Sequence, residues 1–333
     1  MTEFSFTRQH TAFIKGIAIL LMIWHHALIP EFYVSPEPFM RSWGMIHLSM
    51  GGKFCVGLFT FIIGYGYACS KNHTFSYSSS HICKLLKQYW ALCLLIFIPL
   101  GTLFGGGFLT DWQTILCNLA GLKFQYNLAS WYVLFYVYAM LAIIPISKLA
   151  DKKPYLTLLS SVIVFGVTAT LINGRANMWC DAINRWCFYT PVLIAGYVAA
   201  KQEWIKWIPN QSACAYLITS LLVLVARCLV ASLQGFSTDT LFAPIFIYSI
   251  VAYLNKADVA GLVRKTFERL GKVSMYMWFL HAIFYSNYTK SIFQLSPLWL
   301  NNPFAAFVLT TFISYLLAEL TIAVSERILR NNK

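Results

Sequence analysis

The stretch FIKGIAILLMIWHHAL, residues 13–28, is an apolar run with one lysine near its start and two histidines near its end. Lys15 and His26 are eleven residues apart, which on a helix is about three turns plus 20° and roughly 16 Å along the axis. Both side chains are therefore expected on one face of a helix. Ionisable groups inside a hydrophobic span are costly and are functional candidates by default, so this face is predicted to carry a site.

The composition places this helix in a membrane. Of 333 residues, 59% are hydrophobic and 11% are charged, whereas a soluble domain has roughly 25% charged residues. Apolar runs near 20 residues indicate helices and not the short alternating strands of a membrane β-barrel. The sequence predicts an all-α, polytopic integral membrane protein in which residues 1–333 form a single membrane-embedded domain.

About ten transmembrane helices are predicted. The expected spans are 12–29, 53–70, 82–104, 129–148, 155–172, 187–200, 211–233, 240–256, 270–288 and 303–325. With the N-terminus inside, 18 of the 25 Lys and Arg residues fall on the inner side and 6 on the outer side, while Arg227 falls within a span. Because Lys and Arg accumulate in cytoplasmic loops, this distribution predicts an N-in, C-in topology and explains the basic net charge without a nucleic-acid partner.

His26 is the first candidate for catalysis. A neutral imidazole can take a proton from a hydroxyl and return it, which is the usual role of a general base. His25 lies 100° around the helix and does not share the face of Lys15. For a lone histidine, a hydrogen bond to a neighbouring helix is the commoner role. The lysine on the same face favours a functional role for His26.

Two further groups have both a functional and a structural interpretation. Lys84 and Lys87, in HICKLLKQYW, are neighbours on one helix face and are suited to a phosphate-rich ligand, although the positive-inside rule alone also predicts lysines there. His281, in GKVSMYMWFLHAIFY, is expected at a depth comparable to that of His26, with Ser274 on its own face. It is either part of the site or a buried polar residue that joins two helices.

Other polar and aromatic residues in the spans are harder to assign. Arg227 and Glu319 are expected to need partners, and Glu319 is a candidate for orienting a histidine or neutralising Lys15. Trp131 and Tyr132 begin the fourth predicted span. An interfacial aromatic belt is expected for them in preference to a stacking surface for a sugar.

Several phrases of the chain, in the same order, resemble the acyltransferase 3 family of integral-membrane O-acyltransferases. KGIAILLMIWHH, residues 15–26, is similar to the family's opening segment LRGIAALLVVLFH, in which Arg precedes His by the same spacing. The other similar phrases are FTFIIGYG (59–66, family FFVLSGY), the pair Lys84 and Lys87 (family Arg-x-x-Arg), PVLIAGYVAAK (191–201) and LGKVSMYMWFLH (270–281, family IGKISYGIYLLH). The chain departs from the family pattern by Lys for Arg at positions 15, 84 and 87, and by Ile63 for Ser. Because Lys lacks the bidentate fork of Arg, either looser phosphate binding or a different donor is expected.

The resemblance implies an activity, its ligands and the residues that serve it. Acyl-CoA, most often acetyl-CoA, would approach from the cytoplasm and meet Lys15, Lys84 and Lys87 with its phosphates. His26, with His281 as the second catalytic residue, would activate a hydroxyl of a cell-surface polysaccharide, a lipid-linked sugar or an antibiotic, with no metal. The implied location is the inner, cytoplasmic membrane of a bacterium, where the multi-pass chain contacts membrane lipids. Whether an acyl-enzyme forms stays open.

Two other function classes remain open. In a polytopic transporter or polysaccharide exporter, the same buried cations and histidines would line a solute path or a proton relay. The sequence shows no pairing of repeats between its halves, which argues against that class. A sensor or membrane-assembly protein with a degenerate site is the third class, and the altered basic positions keep it open.

Overall fold

The computed structural model of the chain describes residues 4–34, 36–71, 73–104, 112–172, 177–230, 238–286, 288–289 and 302–331. Helix accounts for 84% of the structure, and no β-strand occurs among the described residues. The predicted all-α fold is confirmed.

The described residues form thirteen α-helices. They are α1 (Arg8–Ala27), α2 (Trp43–Gly52), α3 (Phe54–Ala68), α4 (Phe75–Leu92), α5 (Ile98–Phe104), α6 (Trp112–Leu119), α7 (Trp131–Lys152), α8 (Pro154–Ile172), α9 (Met178–Lys201), α10 (Ala213–Leu229), α11 (Asp239–Lys256), α12 (Gly261–Leu280) and α13 (Pro303–Asn331). A π-helical turn, Cys93–Phe97, joins α4 to α5.

Five helical segments are long and apolar enough to cross a membrane: Trp43–Ala68, Phe75–Phe104, Leu128–Lys152, Pro154–Ile172 and Pro303–Ser325. Helix α1 is not among them, because its lysine and histidines lower its mean hydropathy, although its 20 residues correspond to roughly 30 Å of helix. Each of the ten predicted spans overlaps a described helix, while residues 231–233 and 287 of two spans lie outside the described part. The number of spans and their orientation remain predictions.

Several helices begin before the expected positions, among them α4 at Phe75 instead of 82 and α12 at Gly261 instead of 270. Helix α2 continues almost directly into α3, so the second apolar segment begins ten residues before the predicted position 53. Helix α9 begins at Met178 instead of near 187, because the side chain of Asn177 caps it by accepting a hydrogen bond of 2.8 Å from the Cys180 N–H. The first turns of α9 are polar, so hydropathy alone places the start of this helix too late.

The catalytic candidates depend on one helix pair. Helix α1 makes its most extensive contacts with α12. A Cβ atom on Gly16 would overlap the carbonyl of Phe267, and a Cβ atom on Gly271 would overlap the carbonyl of Ala12, so glycine permits this close approach. The ends of both helices meet again further along, where His26 lies beside the residue that follows α12. The two helices therefore run in the same direction.

Candidate active site

The two histidines singled out from the sequence are in direct contact. His26 lies in the last turn of α1, and His281 opens the short 3-10 helix His281–Phe284 that follows α12. His26 Nδ1 is 2.6 Å from His281 Nε2, and the two rings are stacked with centroids 4.8 Å apart. The expectation that they share a depth is confirmed, and the pair joins the first helix to the twelfth.

The hydrogen bonds of the pair determine where its protons lie. His281 Nδ1 is 3.1 Å from the carbonyl oxygen of Met277, and a carbonyl only accepts, so this nitrogen carries the proton. In a neutral ring His281 Nε2 is then an acceptor, and His26 Nδ1 must donate to it. His26 Nε2 is left with a free lone pair, and no hydrogen-bond partner for it occurs among the described residues. The pair therefore presents one base, at His26 Nε2.

The surroundings of the pair are aromatic. Phe32 and Tyr285 have ring centroids 5.2 and 6.2 Å from that of His26. His281 has no exposed surface, whereas His26 is half-buried. Of the two histidines, only His26 therefore has surface that a ligand could contact.

His25 has a different role from its neighbour. Its Nδ1 is 2.7 Å from the carbonyl oxygen of Ser49, and the Ser49 hydroxyl donates back to the His25 carbonyl over 3.1 Å. His25 is buried in this double contact and holds α1 against α2.

The three candidate lysines lie away from the histidines. Lys84 and Lys87 are exposed on α4, and Lys15 is half-buried on α1. The positive charge of Lys84 repels that of Lys15, so the two side chains lie near each other. None of the three forms an ion pair within the described part of the chain, which leaves their charges free for an anionic ligand.

Lys53 is a basic residue near the histidines that is not among the site residues predicted from the sequence. It is exposed between α2 and α3, and its charge acts on both His25 and His26. Arg185 and Arg227 act in turn on Lys53. The feature of the sequence that could have pointed to Lys53 is its position at the start of an apolar run, directly after two glycines.

Buried charge partners were only partly foreseen. Arg227 pairs with Asp239, and both side chains are almost completely buried, at 6% and 0% exposure. Asp239 was overlooked because it falls one residue before the predicted span 240–256. Glu319 pairs with Arg269, so the expectation that it orients a histidine or neutralises Lys15 is wrong.

The aromatic belt expected at the start of the fourth predicted span is wrong for Tyr132. This residue is only 4% exposed, and its ring packs 4.4 Å from that of Trp278. Trp131 instead receives the guanidinium of Arg185, 4.9 Å from its ring. Packing against α12 draws Tyr132 into the core, and hydropathy alone does not reveal such a contact.

An all-helical chain with apolar helices long enough to cross a membrane is a multi-pass membrane protein, and its paired imidazoles form a candidate acid–base site. The family model Acyl_transf_3, described as an acyltransferase domain, matches residues 12–319 of the 333-residue chain, and the protein belongs to this family. The resemblance noted in the sequence is confirmed over nearly the whole length, and membership implies an acyltransferase. Searches of curated proteins and of solved structures gave no match.

Proposed function

We propose that this protein transfers an acyl group, most often acetyl in its family, from acyl-CoA to a hydroxyl of a cell-surface glycan or lipid-linked sugar. One observation carries the proposal: His26 Nε2 is an unpaired base beside the aromatic rings of Phe32 and Tyr285, and the His26 ring is fixed by the hydrogen bond to His281. Family membership supplies the class of reaction.

The proposed reaction uses the free lone pair of His26. As the acceptor oxygen attacks the thioester carbonyl, His26 Nε2 removes the hydroxyl proton, the carbon–sulfur bond breaks, and the proton passes to the CoA sulfur. His26 carries a positive charge between these events. Its hydrogen bond to His281 becomes charge-assisted and therefore stronger at that moment. His281 is a positioning residue, because it fixes the tautomer of His26.

The proposed donor site lies along α1 from the histidines. Lys84, Lys87 and Lys15 would hold the phosphates of CoA as point charges, since an ammonium lacks the directional fork of a guanidinium. Lys15 and His26 are eleven residues apart on α1, or roughly 16 Å. An extended CoA arm would bridge this distance and bring the thioester to the histidine.

The proposed topology has ten spans with both termini in the cytoplasm of a bacterium and the chain in its inner membrane. The distribution of Lys and Arg supports this orientation. Lys15 then lies near the cytoplasm, where acyl-CoA is available, and His26 lies towards the outer side, where a glycan acceptor is presented.

The test uses the full chain, purified and reconstituted in vesicles with radiolabelled acetyl-CoA and a glycan extract from the source cell. Label is expected in the glycan, and mild alkali should release it because an O-acyl ester is base-labile. In parallel, deletion of the gene should lower the O-acetyl content of surface glycans without changing their amount. A changed amount of glycan with unchanged acetylation would instead indicate an exporter.

A further inference from the structure

A groove of about 720 Å³ lies between α8 and the pair α10–α11. Its walls are formed by residues 155–162 of α8, 215–219 of α10 and 240–249 of α11, and by residues 204–211 of the connection between α9 and α10. Its volume falls within the roughly 300–1,000 Å³ of ordinary ligand sites. None of the candidate catalytic or CoA-binding residues lines it.

The groove exists because α8 is packed on one side only. Among the described residues α8 contacts α7 and α9 extensively and has no comparable contact with α10 or α11. Only 17% of its apolar span is buried. Leu159 and Leu241, on opposite walls of the groove, are 59% and 63% exposed. The open side of the groove therefore faces the lipid.

Three side chains that line this apolar groove each carry a buried polar atom without a partner in the described part of the chain. These atoms are Trp204 Nε1, the Tyr248 hydroxyl and the Thr240 hydroxyl, which are buried and form no hydrogen bond to any described residue. Tyr248 is 7% exposed, so its hydroxyl has little access to solvent. An unsatisfied buried donor or acceptor is costly, and lipid tails cannot satisfy one. Hydrocarbon alone would leave these atoms unsatisfied, whereas an occupant with oxygen acceptors would satisfy them if their side chains turned into the groove.

A cation lies at one end of the groove. The Lys256 ammonium donates to the Gln211 carbonyl oxygen at 2.5 Å and lies 5.8 Å from the ring of Tyr216, and both of these residues line the groove. No carboxylate pairs with Lys256 in the described part of the chain. This end of the groove therefore keeps a positive charge.

We propose that the groove is a binding site for one anionic phospholipid. An acyl chain covers the apolar walls and the negative headgroup lies at Lys256. The ester and phosphate oxygens accept from Trp204 and Tyr248 once these side chains turn into the groove. Basic pockets between membrane helices are suited to anionic headgroups, and a phospholipid can enter sideways from the bilayer. The bound lipid would fill the gap between α8 and the pair α10–α11.

Native mass spectrometry of the full chain in mixed micelles tests this proposal, with phosphatidylglycerol and phosphatidylcholine of identical chains as probes. One phosphatidylglycerol per chain is expected to remain bound, with phosphatidylcholine roughly fivefold weaker, because its choline cation cancels the net negative charge of the headgroup that attracts Lys256. Ala215→Trp fills the groove and should abolish retention. Ile218→Trp, on the exposed face of the same helix outside the groove, is the matched control and should retain the lipid.

Smaller changes test the headgroup assignment. Lys256→Gln should remove the preference for phosphatidylglycerol, and Tyr248→Phe should weaken retention of both lipids several-fold. These variants also serve if Ala215→Trp does not fold. Equal retention by the wild type and Ala215→Trp would overturn the site. Equal affinity of the wild type for the two lipids would overturn the assignment to an anionic lipid.

Discussion

His26 Nδ1 and His281 Nε2 are 2.6 Å apart although 255 residues separate them in the chain. The Met277 carbonyl fixes the proton of His281, and His281 in turn fixes that of His26. This chain of hydrogen bonds runs from a backbone carbonyl to a single free lone pair. A second histidine thus orients the base in a place where a carboxylate often does so, and it adds no charge to an apolar site.

Replacing His26 by Ala should lower acyl transfer by roughly 10²–10⁴-fold, because the variant has no base for the acceptor hydroxyl. The measurement is the initial rate of label transfer from acetyl-CoA by protein in vesicles. His47→Ala is the control and should keep full activity, since the one hydrogen bond of His47 to a described residue is to the Trp43 carbonyl on its own helix. A fully active His26→Ala protein would remove His26 from the mechanism.

At position 281, two substitutions should separate a positioning role from simple packing. In His281→Gln a side-chain carbonyl can accept from His26 Nδ1, whereas His281→Leu offers no acceptor of similar size. The Gln variant should therefore have a kcat roughly tenfold above that of the Leu variant, with the same KM for acyl-CoA. Equal kcat values in these two variants would show that the hydrogen bond does not matter.

The spacing of residues in the sequence predicted the position of the two histidines, but not the ion pairs that join different helices. The periodicity of residues 13–28 placed Lys15 and His26 on one face, and helix direction placed His281 at the same depth. The contacts of Arg227 with Asp239 and of Glu319 with Arg269 were missed because they join different helices. Such pairings depend on which helices are neighbours, and periodicity within one helix contains no information about that.

Charge removal at Lys84 and Lys87 should weaken donor binding without changing the chemical step. The double change to Ala is expected to raise the KM for acyl-CoA roughly tenfold or more, because two ammonium groups that meet phosphate are lost. The wild-type KM should also rise with salt more steeply than that of the variant. Lys152→Ala with Lys153→Ala removes the same charge from another exposed site and should leave KM unchanged. If both double substitutions raised the KM equally, Lys84 and Lys87 would have no specific role in donor binding, and their position would reflect only the positive-inside rule.

The contact between α1 and α12 should be sensitive to added volume at Gly271. A valine there collides with the backbone of Ala12 and should cost about 1–3 kcal/mol of stability, as overpacking does. Because the same contact sets the register of His26 against His281, activity should fall more than the folded fraction does. Gly44→Val is the control, since a Cβ at that position meets no atom within 4 Å. The measurements are the melting temperature in detergent and the transfer rate per folded molecule. Proportional losses of both would show that the register is unaffected.

The buried pair of Arg227 and Asp239 should contribute far more to stability than the pair of Arg269 and Glu319. Arg227→Gln leaves a carboxylate with no exposed surface without its cation, and loss of one partner of a buried ion pair typically costs about 3–5 kcal/mol. Arg269→Gln is the matched change in a pair whose side chains are 47% and 24% exposed, and it should cost about 0–1 kcal/mol. Combining Arg227→Met with Asp239→Leu should recover most of the loss, since neither buried charge remains. Thermal unfolding in detergent measures all three variants. Equal shifts for the two single changes would mean that water reaches Asp239, and that its burial between α10 and α11 does not hold in solution.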